Sequence, residues 1–400
     1  MKSIALLITL VTACTVFAEN TLPVRTHDFG QILPEGKYAA NWTNIINIDL
    51  REYFDVPDVH NQVVQFDSNL GKFNVELFPA DAPKSVANFL RYCDANAYEN
   101  TIIHRSIPNS GLGIIQGGGF KLTPESSNYL VDNVASFAAI ELEYKLPNAR
   151  GTIAMARTSA LNSATSQWFI NTADNTTNLG QSNGGGYAVF GRVIGTGMTV
   201  ADTIVGKQRY NFGSPLNELP LSNYTDTTKD PTRSMFIKFN SIRRINKYPA
   251  TNEDNALLDF EIGNVSNPGN AVITLRGSFL SLEFPAAAIS RTEIQIVAKD
   301  VNGNTASGTL IAAPEQAAFV LGTNFAAGNS IFWRQNFGFS YTAHFPWIYL
   351  FDTQRWYFSF GPSTDNLWLW NPERGFLWTQ ADLYPTVYSA ELGTFVNDRE

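Results

Sequence analysis

Apolar and polar residues alternate with period two in two short runs, Val63-Val64-Gln65-Phe66 and Lys72-Phe73-Asn74-Val75-Glu76-Leu77. That period is the signature of half-buried strands. Asn69-Leu70-Gly71 between them supplies turn chemistry, so the pair reads as a hairpin. The period then changes. Ala82-Pro83-Lys84 opens a helix with Asp81 as its expected N-cap, and Val86, Phe89, Leu90 and Cys93 form its apolar face. Short strands cut by Gly and Asn follow. Tyr187 to Val193 reads as a strand, Thr199 to Lys207 as a second short helix, and Met235 to Ile245 as the strand that ends the unit. Many short strands with two helices predict a mainly β domain over 61–247, a closed antiparallel β barrel plugged by helices.

The flanks are patterned differently. Residues 19–60 are polar and irregular, broken by Pro23, Pro34 and Pro57, and read as an N-terminal arm. Residues 208–233 are rich in Pro, Asn, Asp and Thr and read as a surface excursion. Residues 248–255 read as a linker and 256–330 as a small β unit. Residues 331–400 hold 20 aromatics, including six of the eight tryptophans, in runs such as Trp356-Tyr357-Phe358-Ser359-Phe360 and Leu367-Trp368-Leu369-Trp370. This predicts an all-β aromatic-rich region with rings on both sheet faces. They serve either as a core of stacked rings or as a platform for a glycan or protein ligand.

Composition narrows the function. The 400 residues carry 28 Lys+Arg against 36 Asp+Glu, a formal charge of −8, with no basic block. Phosphate binding needs clustered Lys and Arg, so no nucleic-acid partner is expected. Two cysteines, Cys14 and Cys93, and four isolated histidines offer neither CxxC nor HExxH spacing, so neither a metal nor any cofactor is expected. Cys93 reads as a small buried hydrophobe and His104 as structural. Gly180-Gln181-Ser182-Asn183-Gly184 matches GxSxG formally but lacks the strand-turn-helix context a nucleophile needs.

The first 18 residues read as an export signal, with Lys2, an apolar stretch over 4–11, and Val16-Phe17-Ala18 before Glu19. Val11-Thr12-Ala13-Cys14 offers the competing reading of a lipobox lipidated at Cys14. Either way the expected location is periplasmic or extracellular. No later stretch is long and apolar enough for a helical transmembrane span.

Four ordered blocks carry the chemistry. They are Ile103-His104-Arg105-Ser106-Ile107-Pro108 with Ile115-Gln116-Gly117-Gly118-Gly119-Phe120; Arg150 to Thr158; Ser163 to Asn171; and Tyr187 to Val193. In this order they closely resemble the cyclophilin family of peptidyl-prolyl isomerases, especially its bacterial branch, over about Val63 to Ile245. The resemblance implies isomerisation of X-Pro bonds in unfolded or extended polypeptides, here exported ones. It places catalysis on Arg105, Gln116 and Phe169. Arg105 is matched to the arginine that stabilises the twisted amide, Phe169 to the proline-pocket floor and Gln116 to a substrate-backbone contact. Leu112, Ile114, Ala156, Arg157, Leu179 and Tyr187 are matched to substrate-binding positions.

Two departures stand out. Asn109 to Ile115 is longer than the family pattern, which leaves Leu112 or Gly113 where a pocket phenylalanine is usual. Asn178 replaces the family's cyclosporin-contacting tryptophan, which implies weak cyclosporin binding. They keep two rivals open: a catalytically weak binding module on the same scaffold, and a surface protein acting through its aromatic region. The leader is tested by intact mass. The exported protein is expected to begin at Glu19, and a diacylated or triacylated Cys14 terminus would overturn simple cleavage.

Overall fold

The computed structural model of the protein describes residues 21–29, 31–32, 45–108, 111–124, 130–252, 255–285, 292–312, 325–326, 331–334, 338–344, 347–363, 366–380 and 383–399. The leader over 1–18, with Cys14, lies outside them. By contacts the chain forms two units. One comprises the described residues up to Pro23, Val56–Lys247 and the turn Asp300–Asn304; the other comprises Val24–Asp55, Tyr248–Lys299 and the described residues from Thr305 onward.

The first unit is mainly β. The strands of its main sheet are β1 (Val63–Ser68), β2 (Gly71–Leu77), β3 (Arg105–Ile107), β4 (Ile114–Gly117), β5 (Thr152–Met155), β6 (Trp168–Asn171), β7 (Val189–Val193) and β8 (Phe239–Ile245). They form one antiparallel sheet in the order β8-β1-β2-β7-β5-β6-β4-β3. Among the described residues this ladder has two end strands, so the expected closed barrel is not shown as a ring of strand pairs. The chain just before each end strand does meet the other: Ile103 N–H donates to Ile237 O (3.0 Å) and Phe239 N–H to Thr101 O (2.8 Å).

Helix α1 (Pro83–Asp94) buries Val86, Phe89, Leu90 and Cys93 as its apolar spacing predicts, and α2 spans Met198–Val205. The helices and one sheet face enclose an aromatic core. There the Phe66 ring stacks on Phe73 at 4.9 Å and meets Trp168 edge-on at 5.2 Å. Burial pushes the Cys93 thiol up, which keeps it protonated and inert. Asp81 is not the N-cap of α1. Ala82 takes that place and offers no side-chain bond, while Asp81 pairs with Lys145 at 2.6 Å. The open N–H groups of Lys84 and Ser85 donate instead to Glu143, at 3.0 and 2.8 Å. A carboxylate from across the fold thus replaces a local cap and meets the positive end of the helix.

One ion pair is buried in the sheet. Arg192 on β7 donates from Nε and Nη2 to Glu76 Oε2 on β2, at 3.0 and 2.9 Å. Glu76 Oε1 accepts from the N–H groups of His60 and Asn61, and Arg192 also reaches Asp58 O. The pair therefore fastens 58–61 onto the strands.

Among its described residues the second unit is built of strands, with one short 3-10 turn at Leu50–Glu52. Ile45–Asp49, from the expected arm, is a full strand beside Phe279–Glu283, and Val24–Arg25 pairs with Phe54–Asp55. The expected arm therefore divides: Val24–Asp55 groups with the second unit, where Ile46 and Ile48 alternate inward, while Pro23 and Val56 onward belong to the first. The expected linker is packed too. Tyr248 Oη donates to Phe54 O at 3.0 Å, and Asn252 bonds to the turn at Leu275 and Gly277. Thr292–Lys299 buries every second residue and pairs with both Asp259–Val265 and Thr305–Ala312.

The last nine strands, from Phe325–Ala326 to Thr394–Asn397, form a meander in sequence order. Its described rings divide unevenly between the faces, with Tyr357 among the aliphatic residues of the buried one. Period-two alternation in Leu367-Trp368-Leu369-Trp370 sends the leucines to a buried core with Ile348, Leu350 and Leu377. The opposite face carries the rings, and Trp356, Trp368, Phe376 and Phe395 are exposed there. Asp398, fully buried, accepts from Tyr357 Oη (2.8 Å) and Tyr384 Oη (3.2 Å). Burial pushes the Tyr357 hydroxyl up to about 12, so it stays protonated and donates. Among the described residues no helix is long and apolar enough to cross a membrane.

The buried ion pair gives a stability test. Glu76→Ala leaves the Arg192 guanidinium buried without its carboxylate and should cost about 3–5 kcal/mol. Urea denaturation checks this, and an unchanged midpoint would refute the assigned role.

Candidate active site

The two faces of the sheet separate core from chemistry. Cross-strand neighbours share a face. Along one row, Ser106 opposes Ile115, Ile115 opposes Ile170 and Ile170 opposes Ile153, and all four are buried in the interior. One residue out of step, Arg105 on β3 opposes Gln116 on β4, Gln116 opposes Phe169 on β6, and Phe169 opposes Ala154 on β5. The three residues matched to catalysis therefore stand side by side on three adjacent strands, on the face away from the main core.

Phe169 centres a small apolar cluster with Ile114, Ala154, Leu179 and Val189, against which Leu112, Ala156 and Tyr187 pack. Its ring meets Tyr187 edge-on at 5.5 Å. Five of the six expected substrate-binding residues thus fall in one cluster. The sixth, Arg157, lies beside it with its guanidinium 4.7 Å from the Tyr187 ring centre. Arg157 also donates to Gly186 O (3.0 Å) and Gly184 O (2.5 Å). Gly184, Gly185 and Gly186 all take positive φ, which lets this loop fold back over the arginine.

The polar groups are tied down. Gln116 Nε2 donates to Gln167 Oε1 at 2.8 Å. Arg105 Nε donates to Glu218 Oε2 at 2.7 Å, with the arginine side chain 40% exposed. His104 is buried against Phe120, and Nδ1 has no hydrogen-bond partner. Burial lowers its pKa to about 4, which keeps the ring neutral and out of proton transfer near pH 7.

The lengthened loop places Leu112 and Gly113 differently. Leu112 packs on the Phe169 cluster, whereas Gly113 is pressed against the next turn, where a Cβ would lie 2.7 Å from Ala173 Cβ. A buried amide network holds this arrangement. Asn175 donates to Gly113 O (2.7 Å) and to Asn171 Oδ1 (2.8 Å), and accepts from Gly113 N–H (3.0 Å). Asn171 donates to Asn148 Oδ1 at 3.2 Å, and Asn148 donates to the carbonyls of Leu179 and Tyr187. Asn178 also bonds Gly111 O. Three segments that carry cluster residues are thus joined behind the apolar surface.

Glu218 and the asparagine network escape sequence reasoning. Glu218 sits in the stretch read as a surface excursion, with no local pattern to mark it. Asn171 belongs to a motif block, but only the fold reveals its bonds. Among the described residues no group of three or more His, Cys, Asp or Glu could hold a metal ion.

The described residues thus bring an apolar patch (Phe169, Leu112, Ile114, Leu179) and an anchored guanidinium (Arg105) to one face of the sheet. The sequence pattern described as cyclophilin type peptidyl-prolyl cis-trans isomerase/CLD matches residues 63–225. A peptidyl-prolyl cis-trans isomerase of Acinetobacter baylyi is 40% identical over 182 residues, covering 46% of this chain and 87% of that protein. Peptidyl-prolyl cis-trans isomerase B of Escherichia coli K12 is 42% identical over 149 residues, covering 36% and 84%. A solved Cryptosporidium parvum cyclophilin-type isomerase, in the presence of the dipeptide Ala-Pro, aligns over 46% of this chain and 99% of its own. Its identity is 25% and its TM-score 0.34. The chain belongs to the cyclophilin-type peptidyl-prolyl cis-trans isomerase family, and its enzyme class is that isomerase.

The amide network yields its own test. Asn175→Ala strips the donor from buried Asn171 Oδ1 and the acceptor from Gly113 N–H, and should cost about 1–3 kcal/mol. Chemical denaturation reads the loss, and a variant as stable as the parent refutes the network's role.

Proposed function

We propose that this isomerase turns X-Pro bonds by holding proline on the Phe169 cluster while Arg105 stabilises the twisted amide. The barrier is about 18–20 kcal/mol because resonance makes the C–N bond partly double. Twisting breaks that resonance and returns a lone pair to the prolyl nitrogen, which then accepts a hydrogen bond. A donor aimed at that nitrogen favours the transition state over either planar ground state. Arg105 supplies permanently charged N–H groups. Gln116, oriented by Gln167, contacts the substrate backbone, and the segment at Ala156 and Arg157 lies beside the peptide. Leu112, Ile114, Leu179 and Tyr187 wall the ring and exclude water.

The observation that carries this reading is the single cross-strand row Arg105, Gln116, Phe169. The leader over 1–18 supports exported proline-containing polypeptides as substrates and a periplasmic or extracellular location. The exposed ring face of the meander favours a second activity for residues 331–400, holding a glycan or a protein partner.

Arg105→Ala should lower kcat/KM at least about tenfold, or about 1.4 kcal/mol of barrier, with the fold intact. A protease-coupled assay on a short X-Pro peptide reads it. Full activity in a folded variant would sink the assigned mechanism.

A further inference from the structure

We propose that Glu218 is a positioning residue for Arg105, holding Nε–H so that the four N–H groups on the terminal nitrogens are presented to the substrate amide. This rests on the Arg105 reading above and adds a residue to it. The guanidinium carries five N–H donors in a rigid fork. The 2.7 Å bond from Nε to Glu218 Oε2 consumes the one donor on the stem side. It fixes the plane of the fork and leaves the four donors on the terminal nitrogens outside that bond.

The surroundings are built to hold the carboxylate there. Ser106 N–H donates to Glu218 O at 3.0 Å, and Arg105 bridges Glu218 in parallel, so Glu218 extends the sheet at the free edge of β3. The next residues are anchored on both sides. Leu219 pairs with Tyr210, Leu221 N–H donates to Gln208 O at 3.0 Å, and Leu221 bridges Phe236. Leu219 and Leu221 are buried with Ile102, Tyr224 and Phe236, and Tyr210 Oη donates to Tyr224 O. The stretch 208–233 is therefore a packed clamp, and Glu218 is its contact with the arginine.

Stability alone does not account for the pair. The side chains are 40% and 29% exposed, and ion pairs that open contribute little to folding. Ordering a long arginine before substrate arrives is a different gain, because a floppy donor must lose its freedom in the transition state. The bond also spans 113 residues of sequence, so the clamp is placed by the fold and not by local chain geometry.

The test is a double-mutant cycle on the full chain, assayed with a chromogenic X-Pro peptide. Glu218→Ala should lower kcat/KM about tenfold, mostly in kcat and with KM moving less than about twofold. Glu218→Gln, whose carbonyl still accepts, should recover part of the loss. In an Arg105→Ala background the Glu218→Ala change should be silent. The Arg105 Nε–H resonance should be shifted downfield and slow to exchange in the parent and lose both features in Glu218→Ala.

Glu218→Met, of similar length but without an acceptor, serves if the alanine variant does not fold. An impaired Arg105→Ala beside a fully active Glu218→Ala overturns the positioning role and leaves the Arg105 reading standing. Equal losses in both backgrounds overturn it as well, since they mark a merely structural residue. A parent Nε–H that exchanges freely with water overturns it without any variant. An unimpaired Arg105→Ala removes the Arg105 reading, and the positioning role falls with it.

Discussion

Strand parity is the constraint on which the first unit depends. Successive side chains leave a strand on opposite faces, and register locks neighbouring strands to the same choice. Ser106, Ile115, Ile170 and Ile153 go to the core; Arg105, Gln116, Phe169 and Ala154 go to the other face. A slip of one residue would drive a guanidinium into the aromatic core and isoleucines onto the face that carries Phe169. The hydrophobic effect that packs Phe66 against Trp168 therefore also aligns the row of Arg105, Gln116 and Phe169. Fold and site are specified by the same period.

That coupling explains what the sequence made legible. Alternation disclosed the strands, helical spacing disclosed the buried face of α1, and ordered motif blocks disclosed the row. Interactions that join distant segments left no local trace. The cap of α1 comes from Glu143 and not from neighbouring Asp81, and Glu218 lies 113 residues from its arginine. The arm over 19–60 looked irregular because Ile45–Asp49 is one short strand whose partner lies more than 200 residues on. In the meander, Leu-Trp-Leu-Trp sends its rings to one face, while Tyr357 joins the leucines on the other.

The loop that departs from the family pattern is absorbed rather than tolerated. Asn178 stands where a large ring is usual, and its amide holds Gly111 O. Asn175 grips both polar groups of Gly113, and Leu112 reaches the Phe169 cluster. A buried amide set is costly unless every member is paired, and once paired it favours one arrangement strongly. The lengthened loop is thus anchored by the network that supports Leu179 and Tyr187. Changes in loop length and in pocket shape are mechanically linked.

The buried carboxylate of Asp398 has a consequence for how the meander assembles. It accepts from Tyr357, 41 residues earlier, and from Tyr384, 14 residues earlier. Until the final strand arrives, neither hydroxyl has that partner, and desolvating them is unfavourable. Hairpins formed earlier in the sheet therefore stay hydrated at these two rings. Closure of the aliphatic core awaits the last turn of chain. A sheet whose connectivity is wholly local, and which could grow hairpin by hairpin, is thereby made to condense as one cooperative unit.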